Sequence, residues 1–149
     1  MRCSRMNASR TCRALGALAV CAILTAVAAA GYSEPVTSDF NRDGNPDAWS
    51  YFSGDKIEKQ EIDINYDGKI DTVYIYDGEG KVAEEALDTD YDGKIDNWRT
   101  YKNGKIVLDK VDSNLDGRVD LWIYVDKGGI YRIEKDVDGD GKPDDTSAY

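Results

Sequence analysis

From residue 48 to residue 135, short runs of aromatic and β-branched residues alternate with stretches rich in Asp, Asn and Gly. One set of runs is Trp49-Ser50-Tyr51-Phe52, Val73-Tyr74-Ile75-Tyr76, Trp98-Arg99-Thr100-Tyr101 and Trp122-Ile123-Tyr124-Val125. Side chains of this kind favour extended backbone. Each run is followed by a turn signal: Ser53-Gly54, Asp77-Gly78-Glu79-Gly80, Lys102-Asn103-Gly104 and Asp126-Lys127-Gly128-Gly129. Asn-Gly and Asp-Gly between β runs mark hairpins. A second run then returns over Lys56–Ile62, Lys81–Leu87, Lys105–Val111 and Ile130–Lys135. The pattern predicts an all-β fold of about eight short antiparallel strands with no helix, as a meander or a stacked-hairpin solenoid. Apolar residues fall on both parities within Val73–Tyr76 and Leu121–Val125, which leaves room for a curled or two-layered arrangement.

Between the hairpins the chain repeats one nine-residue phrase, Asp-x-(Asn/Asp)-x-Asp-Gly-x-x-Asp, beginning at Asp39, Asp63, Asp88, Asp112 and Asp136. The starts lie 24, 25, 24 and 24 residues apart, so one period is loop, strand, tight turn, strand. The fifth loop has no hairpin after it and reads as a C-terminal cap. The domain is therefore expected over residues 39–145, with 31–38 a linker and 146–149 a frayed tail.

Ca²⁺ takes six to eight oxygens at about 2.3–2.6 Å, and a short loop supplies them when alternate side chains converge around a sharp turn. The loops offer Asp39, Asn41, Asp43 and Asp47; Asp63, Asn65, Asp67 and Asp71; Asp88, Asp90, Asp92 and Asp96; Asp112, Asn114, Asp116 and Asp120; and Asp136, Asp138, Asp140 and Asp144. Each has Gly at its sixth position, where positive φ carries no Cβ penalty. The seventh residue is then placed to turn its backbone carbonyl toward the metal: Asn45, Lys69, Lys94, Arg118 and Lys142. The eighth is Pro46, Ile70, Ile95, Val119 or Pro143, apolar every time, as expected if it tucks the loop against a core. Loops three and five carry four aspartates each and should be the tighter pair. A further ligand could come from Glu61, Glu85, Asp109 or Glu134, two or three residues upstream of loops two to five.

These nonapeptides resemble the first nine positions of an EF-hand loop, and more closely the tandem aspartate-rich calcium repeats of thrombospondin type 3 and related bacterial surface proteins. The resemblance covers the five loops and not the residues between them. An EF-hand also places a bidentate Glu at position twelve. Here that position is Ser50, Tyr74, Arg99, Ile123 or Ser147, so a helix-loop-helix unit, and with it a dockerin proper, is not expected. With about four side-chain oxygens and one carbonyl, each site should be weak, on the order of 10⁻⁴–10⁻³ M. Mg²⁺ keeps its own water and rarely uses such cages. Zinc is disfavoured, since the chain has no His and no Cys after Cys21.

The N-terminus changes the compartment. Arg2, Arg5, Arg10 and Arg13 precede an apolar stretch from Ala14 to Ala30 that ends in three alanines, the form of a signal peptide over residues 1–30. Cys21 lies in that stretch, but Val20 stands where lipidation expects a small residue. Cys3, Cys12 and Cys21 all fall within the segment, so no disulfide is expected in the exported chain. Its removal leaves fifteen basic against 29 acidic residues, a net charge of −14. Such a surface argues against nucleic acid and anionic membrane as partners, and no membrane span is expected after cleavage. A chain so charged repels itself, and Ca²⁺ would relieve that repulsion.

The expected function is an exported calcium-binding repeat protein, secreted or periplasmic or at the cell surface, with a structural or binding role. Five equivalent loops with no odd one out do not look catalytic, and no nucleophile–base arrangement exists after the signal segment. Trp49, Val73, Trp98 and Trp122 occupy equivalent positions, two residues after the last Asp of their loops. They are read as hairpin core. The alternative is a docking module that presents repeated aromatics to a glycan or protein partner at the cell envelope.

Overall fold

The computed structural model describes residues 34–149. The proposed signal segment, the three cysteines and residues 31–33 lie outside the described residues.

Ten strands form one open antiparallel sheet in strictly sequential order, and no helix occurs among the described residues. They are β1 (Val36–Ser38), β2 (Ala48–Ser53), β3 (Lys56–Ile62), β4 (Thr72–Tyr76), β5 (Val82–Leu87), β6 (Asn97–Lys102), β7 (Lys105–Val111), β8 (Leu121–Asp126), β9 (Gly129–Lys135) and β10 (Asp145–Ala148). The arrangement is the meander, and the central eight strands fall where the apolar runs place them. The count is ten rather than eight because both flanks extend the sheet. Val36–Ser38, read as linker, pairs with β2, and Asp145–Ala148, read largely as frayed tail, pairs with β9.

Consecutive connections alternate between tight turns at one end of the strands and the Asp-rich loops at the other. Asn103 and Gly104 have φ of 53° and 71°, and Lys127 and Gly128 have 51° and 83°. Two successive positive φ values are what a type I′ hairpin turn requires. Each of the four hairpins contains one bulge, at Tyr51/Phe52, Ile75/Tyr76, Thr100/Tyr101 and Tyr124/Val125. The extra residues are Glu58, Ala83, Val107 and Tyr131. All four lie on β3, β5, β7 and β9; β4 and β8 run without an inserted residue, so the apolar residues on both parities of Val73–Tyr76 and Leu121–Val125 line both faces of the one sheet.

Directly paired residues share a face. One row runs Trp49–Glu61–Val73–Ala86–Trp98–Lys110–Trp122–Glu134 across the sheet. This tryptophan face also carries Tyr51 and Tyr124, two residues along their strands. The next row, Ser50–Gln60–Tyr74–Glu85–Arg99–Asp109–Ile123–Ile133, lies on the opposite, aliphatic face. Ala48 is the only buried apolar residue among those described. Ile70, Ile95 and Val119 are half-buried while Pro46 and Pro143 are exposed, since one layer gives the loops no second wall to tuck into.

Candidate metal loops

Each loop is closed by its own backbone. The N–H of the ninth residue donates to the carbonyl just before the first Asp: Asp47 to Ser38, Asp71 to Ile62, Asp96 to Leu87, Asp120 to Val111 and Asp144 to Lys135, all within 3.0 Å. Inside, the first Asp straddles the glycine turn. Asp63 Oδ1 accepts from Tyr66 N at 2.7 Å and Oδ2 from Gly68 N at 2.8 Å. Asp39, Asp88, Asp112 and Asp136 accept the equivalent glycine N–H groups of Gly44, Gly93, Gly117 and Gly141. The third residue accepts from the fifth: Asn41 from Asp43, Asn65 from Asp67, Asp90 from Asp92, Asn114 from Asp116 and Asp138 from Asp140. The fifth accepts from the seventh, so Asn45, Lys69, Lys94, Arg118 and Lys142 are tied to the loop through their N–H groups.

The ninth position reaches back across the loop. Asp47, Asp71 and Asp144 each accept the N–H groups of the second and third residues through Oδ2. In loops three and four the second residue carries a hydroxyl, and Thr89 Oγ1 and Ser113 Oγ donate to Asp96 Oδ1 and Asp120 Oδ1 at 2.8 Å. Loop two has Ile64 there and offers no such donor. Asp71 is 1% exposed, and its Oδ1 is buried without a hydrogen-bond partner. A buried, unpaired carboxylate oxygen is costly unless a cation or donor meets it.

Carboxylates also converge. Single oxygens of Asp88, Asp90 and Asp96 lie within 4.8 Å of one another, as do those of Asp136, Asp138 and Asp144. Two oxygens bound to one Ca²⁺ are separated by no more than about 5 Å, twice the metal–oxygen distance. Both trios fall within that limit. They are the loops with four aspartates; in the others Asn41, Asn65 or Asn114 supplies an amide at the third position. The fifth residue stands outside both trios. Asp92 pairs with Lys94 at 2.9 Å, while Asp67–Lys69 and Asp140–Lys142 are at 3.7 Å. The Lys94 ammonium, hydrogen-bonded to Asp92, is the main influence holding that carboxyl below its ordinary range. Asp43 is lowered chiefly by the N–H of Asn45.

The upstream carboxylates are engaged elsewhere. Glu61 accepts Tyr51 OH at 2.7 Å, Glu85 accepts Tyr101 OH at 2.7 Å, and Glu134 accepts Tyr124 OH at 2.8 Å. Asp109 accepts Asn97 Nδ2 at 2.9 Å. Strand alternation turns them onto the sheet faces, two residues upstream to the tryptophan face and three to the aliphatic face, so they are corrected from loop ligands to sheet-face acceptors.

A feature that sequence reasoning missed is the fourth loop position. Arg42, Tyr66, Tyr91 and Leu115 all have φ between 60° and 65°, and Gly139 has 78°. Four of these are bulky residues held in the left-handed region, which costs roughly 1–2 kcal/mol each. Tyr66, Tyr91 and Leu115 are also about half exposed. Nothing in their identity announces this backbone; only the shared loop geometry does.

A comparison with family models gives no match, and neither does one with curated proteins. Among solved structures, the chain is similar to part of the crystal structure of accessory secretory protein 1, 2 and 3 in Streptococcus pneumoniae, with a TM-score of 0.48 and 14% identity. The overlap covers 69% of this chain and 19% of that one. No helix among the described residues is long and apolar enough to cross a membrane.

Proposed function

We propose that the chain is an exported calcium-binding repeat protein whose ions stabilise the sheet, in a structural or binding role at the cell surface or in the periplasm. The observation that carries this is the convergence of three carboxylates in loops three and five within the span one Ca²⁺ can bridge. Asp88, Asp90 and Asp96, and Asp136, Asp138 and Asp144, would hold the ion first. The buried Oδ1 of Asp71 is the point in loop two where a cation would relieve an unpaired acceptor. The bound ion supplies positive charge to a strongly acidic edge. Export rests on the basic and then apolar N-terminal segment. Isothermal calorimetry of the purified chain with Ca²⁺ tests the reading, with Mg²⁺ as control.

A second reading has its own observation. Trp49, Trp98 and Trp122 stand in one row of one face, all half-buried, with Glu61, Val73 and Ala86 between the first two, Lys110 between the second pair and Glu134 beyond the last. Residues two strands apart are separated by roughly 10 Å. That array suits a neutral glycan stacked on indole faces, and quenching of tryptophan fluorescence by soluble oligosaccharides tests it.

A further inference from the structure

The aliphatic face is the more sheltered and the more apolar of the two. All four buried residues that lie within strands, Ala48, Thr72, Glu85 and Asn97, are on it. Near the turns, its row beyond the bulges pairs Phe52 with Ile57, Tyr76 with Val82, Tyr101 with Ile106 and Val125 with Ile130. Apolar sheet faces are normally buried against a second layer, and none covers this one among the described residues. We infer that a second copy of this chain covers it, forming a face-to-face dimer about a two-fold axis parallel to the strands and running between β5 and β6.

Area and charge support that occupant. Ten strands at ~4.8 Å spacing, averaging about 20 Å in length with the edge strands β1 and β10 shorter, present roughly 850 Å². A stable interface buries about 800 Å² per partner. The strand order puts the midline between β5 and β6, and Glu85 faces Arg99 directly across it, with Arg99 Nη1 3.3 Å from Glu85 Oε2. A two-fold axis along this line sets each copy's Glu85 over the other's Arg99, and each Tyr74 over the other's Asp109. Isologous contacts require such self-complementarity. A two-fold axis across the strands would instead stack Glu85 on Glu85 and Arg99 on Arg99, so the charge pattern selects one packing. Aligned sheets of this kind stack about 10 Å apart.

Sedimentation velocity of the purified chain in calcium-containing buffer tests this. The expected result is a dimer. Arg99→Glu and Glu85→Arg, each shown folded by circular dichroism, should each weaken association at least tenfold, and their equimolar mixture should restore it. Should either fail to fold, Ile123→Lys, on the same face outside the ion-pair network, should give a monomer, while Lys110→Glu, on the tryptophan face, should leave the dimer intact. A monomeric wild-type chain overturns the proposal. So does a dimer that survives Ile123→Lys or is lost with Lys110→Glu, or a mixture of folded charge variants that stays monomeric. None of these outcomes depends on whether the loops prefer calcium.

Discussion

The N–H of Asp63 donates to the carbonyl of Asp47 at 2.8 Å, so the residue that opens the second loop is bonded to the residue that closes the first. The same bond joins Asp88 to Asp71, Asp112 to Asp96 and Asp136 to Asp120. Side chains add two more links: Lys69 Nζ donates to Asp92 O at 2.9 Å, and Arg118 Nη1 to Gly139 O at 2.7 Å. The loops thus form a hydrogen-bonded series along one end of the sheet. An ion that fixes one loop fixes an end of its neighbour. Asp88→Ala should therefore remove the calorimetric signal of more than one Ca²⁺. Loss of one ion with the others unchanged would show that the loops act independently.

Asp71 separates a structural contribution from the proposed metal-binding one. Asp71→Ala strips the N–H groups of Ile64 and Asn65 of their acceptor in a part-buried position and should cost about 1–3 kcal/mol, even in chelator. Asp71→Asn keeps a carbonyl oxygen for those donors but removes the charge. It should be near wild type in EDTA and lose much of the calcium-dependent gain. Urea denaturation of both variants, with and without Ca²⁺, checks this; equal losses in EDTA would contradict it.

Glycine substitutions distinguish backbone strain from crowding. A Cβ at Gly68, with φ of 87°, would meet nothing within 4 Å, so Gly68→Ala should cost only about 1–2 kcal/mol of left-handed strain. A Cβ at Gly93 would collide with the Cδ of Lys69. That is the far end of a flexible, half-exposed side chain, so Gly93→Ala should cost more only by displacing Lys69 Nζ from the carbonyl of Asp92, and Lys69→Ala should recover that excess. A double-mutant cycle by thermal denaturation measures the coupling; additivity would argue that Lys69 moves aside freely.

Tyr51 and Tyr101 are both pushed up to about 12, by burial first and then by hydrogen bonds to Glu61 and Glu85. The folded sheet favours the protonated phenols over an unfolded value near 10. Their contribution is complete below about pH 10 and is lost as pH rises from about 10 to about 12. Phenolate absorbance should lag behind that of free tyrosine and rise together with loss of the β signal in circular dichroism. Ordinary titration in a chain that stays folded would refute this.

The repeat, its period and the central eight strands were legible because five loops share one register and strand composition recurs with it. The two flanking strands were not, because Val36-Thr37-Ser38 and Asp145-Thr146-Ser147-Ala148 are short and largely polar, and their extended form comes from pairing with β2 and β9. Loop spacing marked Asp88, Asp90, Asp92 and Asp96 as one set, and of these the structure brings Asp88, Asp90 and Asp96 together while Asp92 pairs with Lys94. The roles of Glu61 and Glu85 were not, since which face each occupies depends on strand register. The tryptophan row could be read as equivalent positions, but whether it met a core or an open face depended on the number of layers, which no local pattern encodes.

The central claim is that divalent ions in the loops hold this acidic sheet together. Differential scanning calorimetry of the purified chain at fixed ionic strength, in Ca²⁺ and in EDTA, tests it most directly. The account predicts a transition several degrees higher in Ca²⁺, rising with ion concentration and not reproduced by equal Mg²⁺. An unfolding temperature unchanged between Ca²⁺ and EDTA would contradict it.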